Sequence, residues 1–192
     1  MLGLADPGLK VWVEPNDDPK KKLKYGWRLV EFENGHWAGI DTSVPNRVVK
    51  EALQAGAIPE LVYPQIRPEV AYDEGSRVFF LGSDPARPDA YIEVKNVHLC
   101  RAGDLAEFPD SVTTRGAKHL GALARMVEAG HRAVMLYLVQ RTDCTRLSMA
   151  DDLDPAYHTA FLAAQAAGVE MLAYGTRISP EGVHLGDTVT IE

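Results

Sequence analysis

The stretch RPDAYIEVKNVHL, Arg87 to Leu99, decides the fold and raises the functional question at once. Tyr91, Ile92, Val94 and Val97 are strand formers, and a period of two sends Ile92 and Val94 to one face while Tyr91, Glu93 and Lys95 point to the other. An acid and a base therefore share one face of a segment that otherwise reads as a core strand. On an exposed strand such a pair is an ordinary ion pair, worth about 0–1 kcal/mol. On a central strand the desolvation of two charges makes a paired cluster or a cleft the simpler reading. A carboxylate beside an ammonium suits phosphodiester hydrolysis: the carboxylate holds a divalent cation, and the lysine orients water and stabilises developing charge.

Working outward, the flanking sequence supplies a sheet and helices around that strand. Residues 1 to 41 carry short β-type runs, LKVWVEP, KYGWRLVEFE and HWAGID, separated by the turn clusters PNDDP and ENG, and read as a small all-β domain. From SVPNRVVKEALQAG the period changes to helical, with Val48, Val49, Ala52 and Leu53 as the stripe, Ser43 or Asn46 as the cap and Gly56 as the stop. Residues 42 to 192 then read as a second domain. Its order is a helix, strand material from Leu61 to Tyr72, the strand RVFFL, the charged strand, and a helix from Asp110 to Ala129. The strand AVMLYLV, a helix opening at Asp154-Pro155 and the strand VEMLAY complete it. That order implies a mixed sheet with helices packed on it, an α/β (α+β) architecture.

The 192 residues, 46% hydrophobic, are enough for a sizeable core, and no run is long and apolar enough to read as a membrane span. The N-terminus MLGLADPGLK lacks the pattern of a signal peptide, and the chain carries two cysteines, so a cytoplasmic location with free thiols is the expectation. A formal charge of −7 argues against coating nucleic acid with the whole surface and leaves a local basic groove open. Two basic segments qualify. DDPKKKLKYGWR interleaves Lys20, Lys21, Lys22, Lys24 and Arg28 with Tyr25 and Trp27, the mixture that holds single strands by phosphate contact and base stacking, or else a solvated hairpin. In the helix near 110 to 129, Leu120, Leu123, Ala124 and Val127 form the inward stripe, and Arg115, Lys118, His119 and Arg125 lie largely on other faces. A zinc site from His98, Cys100, His119, Asp143 and Cys144 is disfavoured because no paired C-x-x-C spacing exists.

Several segments together resemble the sugar fermentation stimulation protein A family: NRVVKEAL, EVAY, PDAYIEVKNV, FPDSVTTRGAKHL and GVEMLAYGTRISPEGV. The resemblance implies a partial OB-like β-domain followed by a domain like that of the PD-(D/E)xK nucleases, with DNA as the partner. It places Glu93 and Lys95 at the E-x-K positions, makes Glu69 of EVAY a second metal-site carboxylate beside Glu93, and makes Arg115, Lys118 and His119 candidates for phosphate contact. One position departs. Where the family pattern has an aspartate after SR and one apolar residue, this chain has Phe79, which would set an aromatic ring where hydrated Mg2+ would sit. MLGLADPG also resembles an internal stretch of family members, so the OB-like unit is expected to be incomplete. The resulting expectation is a DNA-binding protein with a nuclease-like domain whose Mg2+ site is impaired. The competing expectations are a working Mg2+-dependent nuclease using Glu69, Glu93 and Lys95, and a regulatory role in sugar metabolism without DNA.

Overall fold

The computed structural model describes residues 3–20, 22–73 and 76–192. The N-terminal part is a three-stranded antiparallel sheet of β1 (Lys10–Pro15), β2 (Tyr25–Glu31) and β3 (Trp37–Gly39). One side of this sheet closes on its own small core, where Leu4, Val30, Ala38 and Ile40 are buried with Trp27 and Phe32 packed beside them. The other side presents Leu29, Trp12 and Trp37 to the main core. β3 is also tied to the rest of the chain through backbone. Gly39 N donates to Gln140 O at 2.9 Å, and Thr142 N donates to Trp37 O at 3.0 Å.

Helix α1 (Val44–Gln54) follows, with its stripe Val48, Val49, Ala52 and Leu53 buried, as the 3.6-residue period requires. Its start corrects the sequence reading. The Ser43 side chain does not cap the helix; both its amide and its hydroxyl turn back to Asp41 Oδ1, at 2.9 and 2.7 Å. Its end follows the reading, because Gly56 takes a left-handed φ of 66° just past the last turn.

The main sheet contains six strands in the order β12-β11-β9-β6-β5-β4. β4 (Gln65–Asp73), β5 (Ser76–Asp84) and β6 (Arg87–Val97) form an antiparallel meander. The chain then makes a hairpin, β7 (Leu99–Ala102) and β8 (Leu105–Phe108), and helix α2 (Thr114–Glu128), before β9 (Arg132–Val139) lies parallel to β6. A parallel neighbour needs such a crossover. β10 (Arg146–Met149), α3 (Pro155–Ala166), β11 (Glu170–Ser179), β12 (Gly182–Thr188) and β13 (Thr190–Ile191) complete the chain. β13, β10, β8 and β7 build a second, four-stranded sheet that strand propensity alone had not suggested.

Alternation on β6 sorts the two faces. Ile92 and Val94 join Val134, Leu136 and Leu138 of β9 in the core under α1. Tyr91 joins Met135 and Tyr137 in the core under α2 and α3, with Leu120, Leu123, Tyr157 and Phe161. Glu93 and Lys95 lie on this second side, on a strand with neighbours at both edges.

Candidate functional site

Glu93 is fully buried, at 0% exposure. An unpaired carboxylate there would be prohibitive, and the chain surrounds it with donors. Its Oε1 accepts from Lys95 Nζ at 2.7 Å and from His119 Nδ1. Lys95 Nζ is also 3.2 Å from His119 Nδ1. Arg115 Nε, which can only donate, reaches His119 Nε2 at 3.4 Å. That contact makes Nε2 the accepting nitrogen and leaves the ring proton on Nδ1, aimed at Glu93. The second carboxylate oxygen, Oε2, is buried with no hydrogen-bond partner among the described residues.

The helices that carry this cluster are pinned at a shared point. Asp154, 3% exposed, accepts from Tyr157 N at the start of α3 through Oδ1 at 3.0 Å, and from Thr113 N at the start of α2 through Oδ2 at 2.7 Å. Thr113 in turn accepts from Gly116 N at 3.1 Å. One side chain therefore satisfies orphan amides of two helices and fixes where Arg115 and His119 project. Beneath the cluster the Tyr137 and Tyr157 hydroxyls meet at 2.7 Å. Burial pushes the Tyr157 hydroxyl well above its ordinary pKa, and the Tyr137 hydroxyl and the charge of Glu93 push it the same way. Sequence reasoning missed this tyrosine pair; its only signal was an aromatic at the inward position of each element.

Three expectations are corrected by the placement. His119 does not lie on an outer face of α2: at 5% exposure it is one of the helix's inward residues, turned to Glu93. Glu69 and Glu93 are not brought together. Glu69 is exposed and lines a shallow depression on the α1 side with Asn46, Arg47, Lys50, Pro68 and Phe79. Phe79 sits in that depression as well, packed against the core under α1, so its ring does not occupy the space beside Glu93. The residue of β5 that does join Glu93's side of the sheet is Val78, fully buried. The physical reason is a change of phase. Ile66 packs under α1, whereas Val70 and Tyr72, of the same parity, pack on the opposite face. Between them Glu69 adopts φ 54°, a left-handed conformation that a strand residue rarely takes and that breaks strict alternation. Phe80 and Val78 show the same break on β5.

The other candidate residues are dispersed. Arg115 and Lys118 are exposed on the first turns of α2, next to the cluster. Lys20, Lys22 and Lys24 are exposed around the β1–β2 connection, while Lys21 lies outside the described residues. Trp27 is half-buried, its Nε1 donating to Leu29 O at 3.0 Å, so its ring is not an open stacking platform. Arg28 is held between Glu14, at 2.8 Å, and Asp41. Among the described residues no group of three or more His, Cys, Asp or Glu side chains is arranged to hold a metal ion. Mg2+ and Ca2+ take six to eight or so oxygen ligands. Among the described residues the cluster offers one carboxylate, Glu93, flanked by two nitrogen groups, and that donor set does not fit either ion.

Comparison with known proteins places the two parts of the chain separately. Residues 1–40 match the SfsA N-terminal OB domain, and residues 43–182 match the sugar fermentation stimulation protein RE domain. The chain is 69% identical to the sugar fermentation stimulation protein homolog of Dinoroseobacter shibae, over the whole chain and 79% of that protein. It is 64% identical to the homolog of Ruegeria pomeroyi, over 97% of the chain and 82% of that protein. Among solved structures, Pyrococcus furiosus SfsA in complex with Ca2+ superposes with a TM-score of 0.87 at 24% identity, covering 98% of this chain and 80% of that one, a likeness of fold.

Proposed function

The chain belongs to the sugar fermentation stimulation protein family, and from that premise we propose that it binds DNA through the α2 side of its nuclease-like domain without metal-dependent cleavage. The observation that carries the reading is the state of Glu93. A nuclease of this architecture needs clustered carboxylates to hold its cation, and among the described residues the cluster has one, Glu93, whose Oε1 is engaged by Lys95 and His119. What remains outward is basic: Arg115 and Lys118 stand on the first turns of α2, where the positive end of the helix dipole also favours phosphate. Lys20, Lys22 and Lys24 supply a second set of contacts, long side chains on an exposed connection.

The relative from P. furiosus was solved with Ca2+. In this chain the one carboxylate described in the cluster, Glu93, already has Lys95 and His119 on its Oε1, which argues for a different balance here. Labelled single- and double-stranded DNA, incubated with the protein with and without Mg2+ or Mn2+ and scored for retention and cutting, tests the reading. Retention without cutting is expected, and Arg115→Ala with Lys118→Ala should lower the slope of log affinity against log salt by about 2. Cutting that requires Mg2+ and is abolished by Lys95→Ala would replace this reading with that of an active nuclease. Absence of retention at low salt would remove DNA altogether.

A further inference from the structure

A cavity of about 750 Å3 opens between α3, β11 and the C-terminal strand β13, on a part of the molecule the Glu93 cluster does not reach. Its position follows from how the chain leaves the main sheet. β12 pairs with β11 from Ser179 back to Tyr174. Val189 N then donates once more, to Ala173 O at 2.9 Å, and Thr190 and Ile191 depart to pair with β10. β9 covers the other edge of β11 from Glu170 to Tyr174. Among the described residues, therefore, no strand pairs with the outer edge of β11 from Glu170 to Leu172. Because alternate residues of a strand point their amide and carbonyl to the same side, Met171 directs both groups the way Ala173 O points, toward the cavity. An open edge of this kind is a template for a strand from another chain.

The lining states what such a strand must carry. Phe161, Leu162, Met171 and Ile191 form apolar wall, and Leu162 is 51% exposed although it is a leucine on a packed helix. Glu60, Asp151 and Glu192 are the acidic lining residues, and among the described residues no lysine or arginine lines the cavity. Glu192 is paired with Arg146 at 2.7 Å and Glu60 accepts from Tyr174 Oη at 2.8 Å, while Asp151 has no ion partner among the described residues. This field disfavours phosphate and favours ammonium or guanidinium groups. We propose that the groove takes an extended, lysine-bearing peptide segment of a partner protein, added as a strand to the open edge of β11. Side chains on one face of the segment then meet α3 and the Asp151 carboxylate, and the alternate ones meet Leu172 and Glu60 on the other face.

The test uses the full chain and an N-acetylated, C-amidated hexapeptide alternating valine and lysine, with fluorescence anisotropy and amide hydrogen exchange as readouts. Saturable binding is expected, with slowed exchange at the Met171 amide. Asp151→Asn and Leu162→Ser, both at exposed positions that should leave folding intact, should each weaken binding by about threefold. N-methylation of the central backbone amides, which leaves every side chain in place, should weaken it by about tenfold or more. No saturation at about 1 mM peptide overturns the proposal. So does equal binding of the N-methylated peptide, which would mean that the edge is not used, or of a peptide with glutamate in place of lysine. Protection of Met171 in the free protein together with concentration-dependent dimerisation would assign the groove to a second copy instead. DNA retention is measured in parallel and should not change in Asp151→Asn, so failure here and failure of the DNA reading are separable.

Discussion

Two groups of charge in this molecule invite comparison: the cluster of Glu93, Lys95 and His119 under α2, and the belt of ion pairs on the four-stranded sheet. The belt has more members. Arg101 binds Glu107 and Asp152, and Arg146 binds Asp104 and Glu192, mostly through short paired contacts. Its guanidinium groups are more than a third exposed, or nearly so, and water screens them. Among the described residues the cluster has one acid, with no exposure at that acid and no redundancy. The comparison teaches that burial, and not the number of charges, decides what a substitution costs, and that in the cluster the fold holds a fully buried charge against its solvation preference.

The largest expected effect lies in the cluster. Lys95→Met removes a donor from a buried carboxylate and should lower unfolding free energy by about 3–5 kcal/mol in urea titration at neutral pH. A loss below about 1 kcal/mol would mean that the cluster behaves like the belt, and the contrast would fail. On the opposite face of the same sheet, Leu136→Ala opens a cavity in an all-apolar layer and should cost about 3 kcal/mol, with no change in DNA retention. That variant separates loss of stability from loss of function. Asp154→Ala deprives α2 and α3 of a shared cap and should cost about 2 kcal/mol. Because Arg115 and His119 project from the pinned turn, it should also weaken DNA retention, a coupling Leu136→Ala lacks.

A pH measurement sharpens the comparison further. His98 is buried, and burial holds its pKa below the ordinary imidazole value, with Arg141 acting the same way and Asp110 opposing. A histidine with a lowered folded-state pKa binds its proton first in the unfolded chain. Its contribution is therefore complete above the unfolded value near 6.5 and is lost as pH falls from there through the folded value. Stability should decline as pH falls below that unfolded value, and His98→Gln should flatten that part of the profile. In the belt, Arg146 holds Asp104 down to about 2, with Thr145 assisting, so that carboxylate should not titrate in that range. The smallest effect is expected at Arg146→Ala, where the melting temperature should stay within measurement scatter at physiological salt.

How much of this was legible can be read from single residues. The face shared by Glu93 and Lys95 follows from the two-residue period of a strand, and the buried stripe of α1 from the period of a helix. Both periods are local and need no knowledge of what lies across the core. The location of His119 was not legible in the same way. It falls within a turn of the inward stripe, and only the presence of Glu93 across the interface makes burial of an imidazole favourable. Phe79 and Glu69 show the opposite failure. The family resemblance puts residue 79 beside Glu93, but the left-handed residue at Glu69 shifts the phase of β4 and β5 and sends both side chains to the α1 side. The short strands β7, β8, β10 and β13 were unreadable because each is only two to four residues long and is held by its neighbours' backbone.

By itself, then, the sequence determined the elements whose signal is periodic and local: the charged central strand, the stripes of α1 and α2, the cap at Asp154 and the family to which the chain belongs. Tertiary structure alone decided which carboxylates meet, which of two adjacent β5 residues faces Glu93, and where an edge of β11 is left open. Those outcomes depend on phase shifts, crossovers and contacts between residues far apart in the chain, and a local period carries no information about them.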